Sequence, residues 1–191
     1  MSEAAHVTIV LQAIATIAPA LYTGFTFAYS HVAVPPLTAH APPRLLAKQW
    51  LQAYQFAPIF VAPLILLGTS SNALLAYLSL DSPSSSAAPL YAVAALANAC
   101  IIPYTALYME PRVNGAAKWK ARELLREDGF RLKGRGGQGT NKDTASEAAR
   151  KWAEQVDMKT IVNTWAETNA WRYVVTAFAT LMSVSATVAR G

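Results

Sequence analysis

Apolar residues fill this chain in four long blocks, with the charge gathered between them. From Val7 to Ser30, from Gln49 to Leu80 and from Ser82 to Met109 there is no Asp, Glu, Lys or Arg, and Tyr173 to Ala189 is equally free of charge. Each block is near or above the roughly 17 to 25 residues that cross a bilayer as a helix. The pattern therefore predicts an all-α fold, an integral membrane four-helix bundle. Its spans lie at about 7–30, 50–80, 89–109 and 169–189 of a single membrane domain, residues 1–191, with a long, partly helical loop at 110–168.

Proline and glycine punctuate the blocks. Pro19 and Gly24 are expected to kink the first span, and Pro58 and Pro63 lie inside the second. The four prolines of HVAVPPLTAHAPPR argue against helix and for an ordered turn or extended connector, DSPSSSAAP reads as a short polar hinge, and the third span is expected to stop at Pro111. In the long loop KWKARELLRED has helical spacing, GFRLKGRGGQGTNKD is Gly-rich, and Thr144 to Glu147, TASE, has the spacing of a capping box. No Gly or Pro follows Thr140 until Gly191, so the last helix is expected to begin in the loop and continue into the membrane.

Composition agrees with the membrane reading. Hydrophobic residues make up 53% of the chain and charged ones 14%, against about 25% charged in a soluble domain, and the mean hydropathy is +0.24. The start MSEAAH has no Lys or Arg, and its apolar run exceeds the roughly 7 to 15 residues of a secretory signal, so the first block is expected to remain as a span. The one cysteine, Cys100, rules out an internal disulfide and reads as a small buried residue of the third span. A net charge of +5 raises nucleic acid as a partner, but its distribution argues against it: Arg44, Lys48 and most other basic residues fall in the two loops that a four-span chain places on one side. By the positive-inside rule that side is cytosolic, and both termini lie opposite.

That topology gathers polar and aromatic residues at the cytosolic ends of the spans: Tyr29 and His31; Trp50, Tyr54 and Gln55; Tyr104, Tyr108, Glu110 and Asn114; and the start of span four. Tyr173 to Ala189 is 17 residues, only about 25 Å of helix against about 30 Å of hydrocarbon, so Arg172 and Asn169 sit at the membrane edge. Trp165, Asn169 and Arg172, spaced i, i+4, i+7, share one helix face. Arg172 either snorkels to headgroups, with aromatic neighbours as interfacial anchors, or faces inward with Asn169 to bond an oxygen of a ligand. His31 is either interfacial or a base. No histidine or cysteine spacing supports a metal site, and the glycines of GRGGQG lack the strand and βαβ setting of a dinucleotide site.

Four stretches together resemble the fungal anthrone oxygenase family of small four-span membrane proteins. They are ALYTGFTFAYSHVAVP, KQWLQAYQFAP, IIPYTALYMEPRVN and the W-x3-N-x2-R of Trp165, Asn169 and Arg172, in that order along the spans. The resemblance implies oxidation of an anthrone carbon to a quinone carbonyl with molecular oxygen as co-substrate and no flavin, haem or metal, in aromatic polyketide pathways. The greasy, flat substrate suits an aromatic pocket between helices. Under that reading Arg172 and Asn169 stabilise the oxyanion, His31 is the base with Tyr54 or Tyr104 behind it, Trp50 and Trp165 pack on the rings, and Asn114 or Glu110 meets Arg172. The competing class is a non-enzymatic four-span scaffold whose polar residues only tie helices together.

Overall fold

A computed structural model describes residues 3–80, 86–134 and 140–190. Four helical runs are long and apolar enough to cross a membrane, Ala5–His40, Pro43–Leu78, Ala87–Leu124 and Met158–Arg190, which makes this a multi-pass all-α membrane protein. The elements are α1 (Glu3–Ala28), a π-helical turn (Tyr29–Ala33), α2 (Val34–His40), α3 (Pro43–Leu78), α4 (Ala87–Ala99), α5 (Ile101–Pro103), a π-helical segment (Tyr104–Asn114), α6 (Gly115–Leu124), α7 (Glu147–Gln155) and α8 (Met158–Arg190). Among the described residues there is no strand, only an isolated bridge between Lys133 and Lys142.

The runs overshoot the expected spans because prolines end helices less often here than their number implies. The segment after Ala28 stays helical through His40: a π turn precedes Pro35 and Pro36, which then fall in the first turn of α2, and Pro43 opens α3. Those are the positions where a missing N–H costs least. Pro111 likewise does not stop the third run, because it lies inside the π-helical segment that leads into α6. At 1.5 Å per residue the four runs reach about 50–57 Å, well past about 30 Å of hydrocarbon.

The chain forms two compact units. The first comprises Met1–Thr26, Ile59–Ile101 and Trp171–Gly191, and its charged residues are Glu3, Asp81, Arg172 and Arg190. Apolar side chains such as Ile59, Phe60, Leu66, Leu181 and Val188 point outward, as lipid-facing residues do. Inside, small hydroxyl and amide groups join the helices: Thr23 to Thr176 at 2.8 Å, Tyr91 to Thr187 at 2.9 Å and Asn98 to the carbonyl of Ile65 at 2.9 Å. Asn72 donates to the carbonyl of Ala15 at 3.0 Å, the group that Pro19, four residues on, has no N–H to satisfy. Cys100, expected to be buried, is exposed at the break between α4 and α5, its thiol bonded to the Ala97 carbonyl.

The second unit comprises Phe27–Pro58 and Ile102–Ala170. Its core runs from Val34, Leu46, Trp50 and Leu51 through Met109, Val113 and Ala117 to Ala149, Met158, Ile161 and Trp165. The loop helix α7 starts two residues later than the TASE spacing predicts: Ser146 is the N-cap and accepts from the amide of Ala149, which frees Thr144 for another role. A break at Val156 and Asp157 separates α7 from α8, with Asp157 accepting from the amide of Thr160. The helix is therefore continuous into the first unit only from Met158. The glycines Gly136 and Gly139 of the loop lie outside the described residues.

A surface ion cluster ties the start of α3 to the turn after α6. Arg44 contacts Glu127 at 3.0 Å and Asp128 at 2.7 Å, and Lys48 reaches Asp128 at 2.9 Å. Hydrogen bonds from Arg44, then Lys48, lower the Asp128 carboxyl to about 2. A depressed carboxyl contributes stability above its unfolded value, near about pH 4, and loses it as pH falls through the folded value. Acidification to about pH 2 should therefore speed amide exchange at 125–130, beyond the intrinsic change, in the wild type. Asp128→Asn should show the faster exchange already at neutral pH; equal protection in both proteins at neutral pH would contradict this role.

Candidate functional site

The π-helical segment places one carboxylate inside the second unit and surrounds it with donors. Glu110 accepts from the Tyr54 hydroxyl at 2.5 Å and the Asn114 amide at 2.8 Å through Oε1. Its Oε2 takes the Lys118 ammonium at 3.0 Å and the Thr144 hydroxyl at 2.9 Å. Lys118 is 1% exposed, so its charge is neutralised within the protein rather than by water. The main chain joins in: Thr144 also donates to the Glu110 carbonyl and the Ser146 amide to the Pro111 carbonyl at 2.8 Å. Carbonyls that lose tight helical pairing in a π segment are satisfied in this way by the incoming loop.

Close approach of that loop depends on Gly115. A Cβ there would lie 2.5 Å from the Cα of Ala145, 2.8 Å from its nitrogen and 2.8 Å from the Glu110 carbonyl. Only glycine lets residues 144–146 reach the carboxylate.

Aromatic rings lie next to this network. Trp50 stacks on Tyr54 with centroids 5.1 Å apart, Trp165 meets Trp50 edge-on at 6.3 Å, and Tyr29 meets Trp165 edge-on at 5.5 Å. The Trp165 indole donates to Asn114 Oδ1 at 2.9 Å, which links the rings to the carboxylate through one amide. Trp50 is buried, and its Nε1–H has no acceptor among the described residues. A buried donor without a partner is uncommon and marks a place where a ligand oxygen would be favourable.

The residues expected to bind substrate, Trp50, Tyr54, Asn114 and Trp165, are thus brought into one cluster. Of those expected to be catalytic, Tyr104 packs against the same core as Trp50 and Trp165. Tyr104 stacks on Tyr108 and donates to the Thr168 carbonyl at 2.9 Å. Asn169 is buried and donates to Ser30 at 2.9 Å. His31, next to Ser30, is exposed and packs on Phe27 with centroids 4.9 Å apart. Arg172, in the first unit, holds its guanidinium 5.4 Å from the centre of the Tyr22 ring. Glu110 forms its ion pair with Lys118, and the Asn114 amide bridges Glu110 and Trp165. Among the described residues no three of His, Cys, Asp and Glu come together.

A separate groove of about 590 Å³ opens on the second unit, lined by Tyr108, Arg112, Val113, Trp152, Thr164 and Thr168 among others.

The family model described as Anthrone oxygenase matches residues 50–182, well over half of the chain. The chain belongs to the anthrone oxygenase family. Membership points to oxygenase-type chemistry. The family match opens at Trp50 itself and covers Tyr54, Glu110, Asn114, Lys118, Thr144 and Trp165, whereas Tyr29, Ser30 and His31 precede it. No curated protein and no solved structure matches the chain.

From the sequence Glu110 had only an ion-pair role, Thr144 only that of a helix cap, and Lys118 none. One signal was present: Glu110, Asn114 and Lys118 recur every four residues immediately after a long uncharged block. Such spacing aligns polar groups along one helical face.

Proposed function

We propose that this protein is a membrane-bound, cofactor-independent oxygenase that converts the methylene of an anthrone-like polyketide to a quinone carbonyl, with the chemistry at the Trp50–Tyr54–Glu110 cluster. The observation that carries the reading is a base relay beside an open donor. The Tyr54 hydroxyl lies on the Glu110 carboxylate, and the stacked Trp50 presents a buried Nε1–H with no acceptor among the described residues. In the reaction the Tyr54 oxygen takes a methylene proton as its own proton passes to Glu110 Oε1, with Lys118 at 3.0 Å from the other carboxylate oxygen. The resulting carbanion delocalises its charge onto the ring carbonyl oxygen, where the Trp50 N–H is placed to stabilise it.

That electron-rich anion reduces molecular oxygen and forms a C–O bond, giving a hydroperoxide once protonated. Loss of water, taking the second methylene hydrogen and the outer oxygen, leaves the carbonyl. One oxygen atom enters the product and the other leaves as water, so the balance closes without a further reductant. The role of base moves from His31 to the Tyr54–Glu110 pair because His31 is exposed while Tyr54 sits in the aromatic cluster. The long loop carrying this site is assigned to the cytosolic side on its basic residues.

The test is oxidation of an anthrone by the purified protein in neutral-lipid nanodiscs under ¹⁸O₂. The reading expects a rate far above that of empty nanodiscs, unchanged by chelators, with one labelled oxygen in the quinone. A rate equal to empty nanodiscs, or one lost on chelation, contradicts it. A scaffold role is favoured by one feature: both Glu110 oxygens are fully engaged by Tyr54, Asn114, Lys118 and Thr144. The scaffold reading expects no rate above the control.

A further inference from the structure

The groove beside α7 carries a charge that the fold does not use. Arg112 lies at its edge with the guanidinium 4.4 Å from the centre of the Tyr108 ring, and among the described residues it forms no ion pair. Arg44 and Arg150 of the same unit are neutralised, by Glu127 and Asp128 and by Asp143 at 2.8 Å, whereas Arg122, Arg126 and Arg131, like Arg112, form no ion pair among the described residues; of these four, Arg112 is the one that lines the groove. The walls are chiefly apolar and include Trp152 and Val113 together with Thr164 and Thr168. The two threonine hydroxyls are bonded to helix carbonyls at 3.0 and 2.7 Å, so they remain able to accept but are committed as donors. Among the residues that line the groove Arg112 is the one charged side chain.

A volume of about 590 Å³ falls within the range of small-molecule sites, and aromatic and aliphatic walls match a flat ring system better than a flexible chain. A guanidinium already stacked on one ring is oriented to bond an oxyanion at the edge of a second ring in the same plane. The geometry points to this groove as a binding site for a planar aromatic bearing an anionic oxygen, a carboxylate or an ionised phenol, separate from the Glu110 cluster. A lipid headgroup is the weaker match. α7 gives Ala148, Ala149 and Trp152 to the wall but exposes Glu147, Lys151 and Glu154 on its outer side, which disfavours a bed of acyl chains around the groove.

The probe is anthraquinone-2-carboxylate against neutral anthraquinone, with binding to the full-length protein in phosphatidylcholine nanodiscs read from quenching of tryptophan fluorescence. No turnover is needed, so the result is independent of the proposed oxygenase chemistry. The carboxylate should bind about tenfold more tightly than the neutral ring, the effect of one charge-assisted hydrogen bond. Arg112→Gln, at an exposed position, should abolish that preference while leaving neutral binding and the melting curve intact. Trp152→Leu should weaken both ligands and reduce the quenching. Equal binding of the two probes in the wild type, or a preference that survives Arg112→Gln, overturns the proposal. Loss of carboxylate binding when phosphatidylglycerol is mixed into the nanodiscs also overturns it, by assigning Arg112 to headgroups.

Discussion

Glu110→Gln should lower the stability of the protein by about 3 kcal/mol, because it leaves the Lys118 charge buried without a counter-charge. The estimate sits at the low end of the range for broken buried pairs because the Glu110 side chain keeps 20% of its exposure. The amide keeps one acceptor oxygen where the carboxylate has two, so it retains the donors of one side only, Tyr54 and Asn114 or Lys118 and Thr144, and the loss combines the charge with the hydrogen bonds of the other side. Glu110→Gln combined with Lys118→Met removes both charges and should regain most of the stability, since replacing a whole buried pair is often neutral. It should not regain oxidation, which needs the carboxylate as proton acceptor. Thermal unfolding in detergent, followed by tryptophan fluorescence, separates the two effects. A single variant as stable as the wild type would show that Lys118 finds another partner or sheds its proton.

Gly115→Ala should be the second most damaging change. All three atoms that its Cβ would meet are backbone, from Ala145 and Glu110, so no side-chain rotation relieves the clash. The loop must move away, losing the Ser146 amide bond to Pro111 and the two Thr144 bonds to Glu110. Overpacking of this kind costs about 1–3 kcal/mol, and displacement of Thr144 should lower the oxidation rate in the protein that still folds. Gly24→Ala is the matched control. Nothing lies within 4 Å of a Cβ at that position, and alanine is the better helix former by about 0.5–1 kcal/mol. Melting temperatures of the two variants should therefore move in opposite directions. Equal shifts would contradict the close approach of Ala145.

The spans were legible in the sequence because charge is excluded from hydrocarbon so strongly that four uncharged blocks stand out without any periodicity argument. Helix ends were not, because proline marks a boundary only when the chain remains in the α register. Two π-helical stretches, Tyr29–Ala33 and Tyr104–Asn114, carry the first and third runs past Pro35 and Pro111, and nothing in composition announces such a register. The aromatic half of the site was also legible, since Trp50, Tyr54, Asn114 and Trp165 fall at span ends that topology places together. The polar half was not. Thr144 reads as a helix cap by spacing, and its role with Glu110 depends on a loop contact more than thirty residues away. Local patterns cannot encode a contact of that sequence separation.

The central claim is that Tyr54 transfers the proton that starts the reaction, and one comparison addresses it directly. Anthrone consumption under air should be measured in membranes holding equal amounts of wild type, Tyr54→Phe and an empty vector. Phenylalanine preserves the ring that stacks on Trp50 and removes only the hydroxyl bonded to Glu110. The account predicts a wild-type rate well above the empty vector and a fall of about a hundredfold or more in Tyr54→Phe, the typical worth of a general base, with the melting temperature shifted by only a few degrees. A Tyr54→Phe protein that folds and oxidises anthrone at the wild-type rate would remove the proton relay from this cluster.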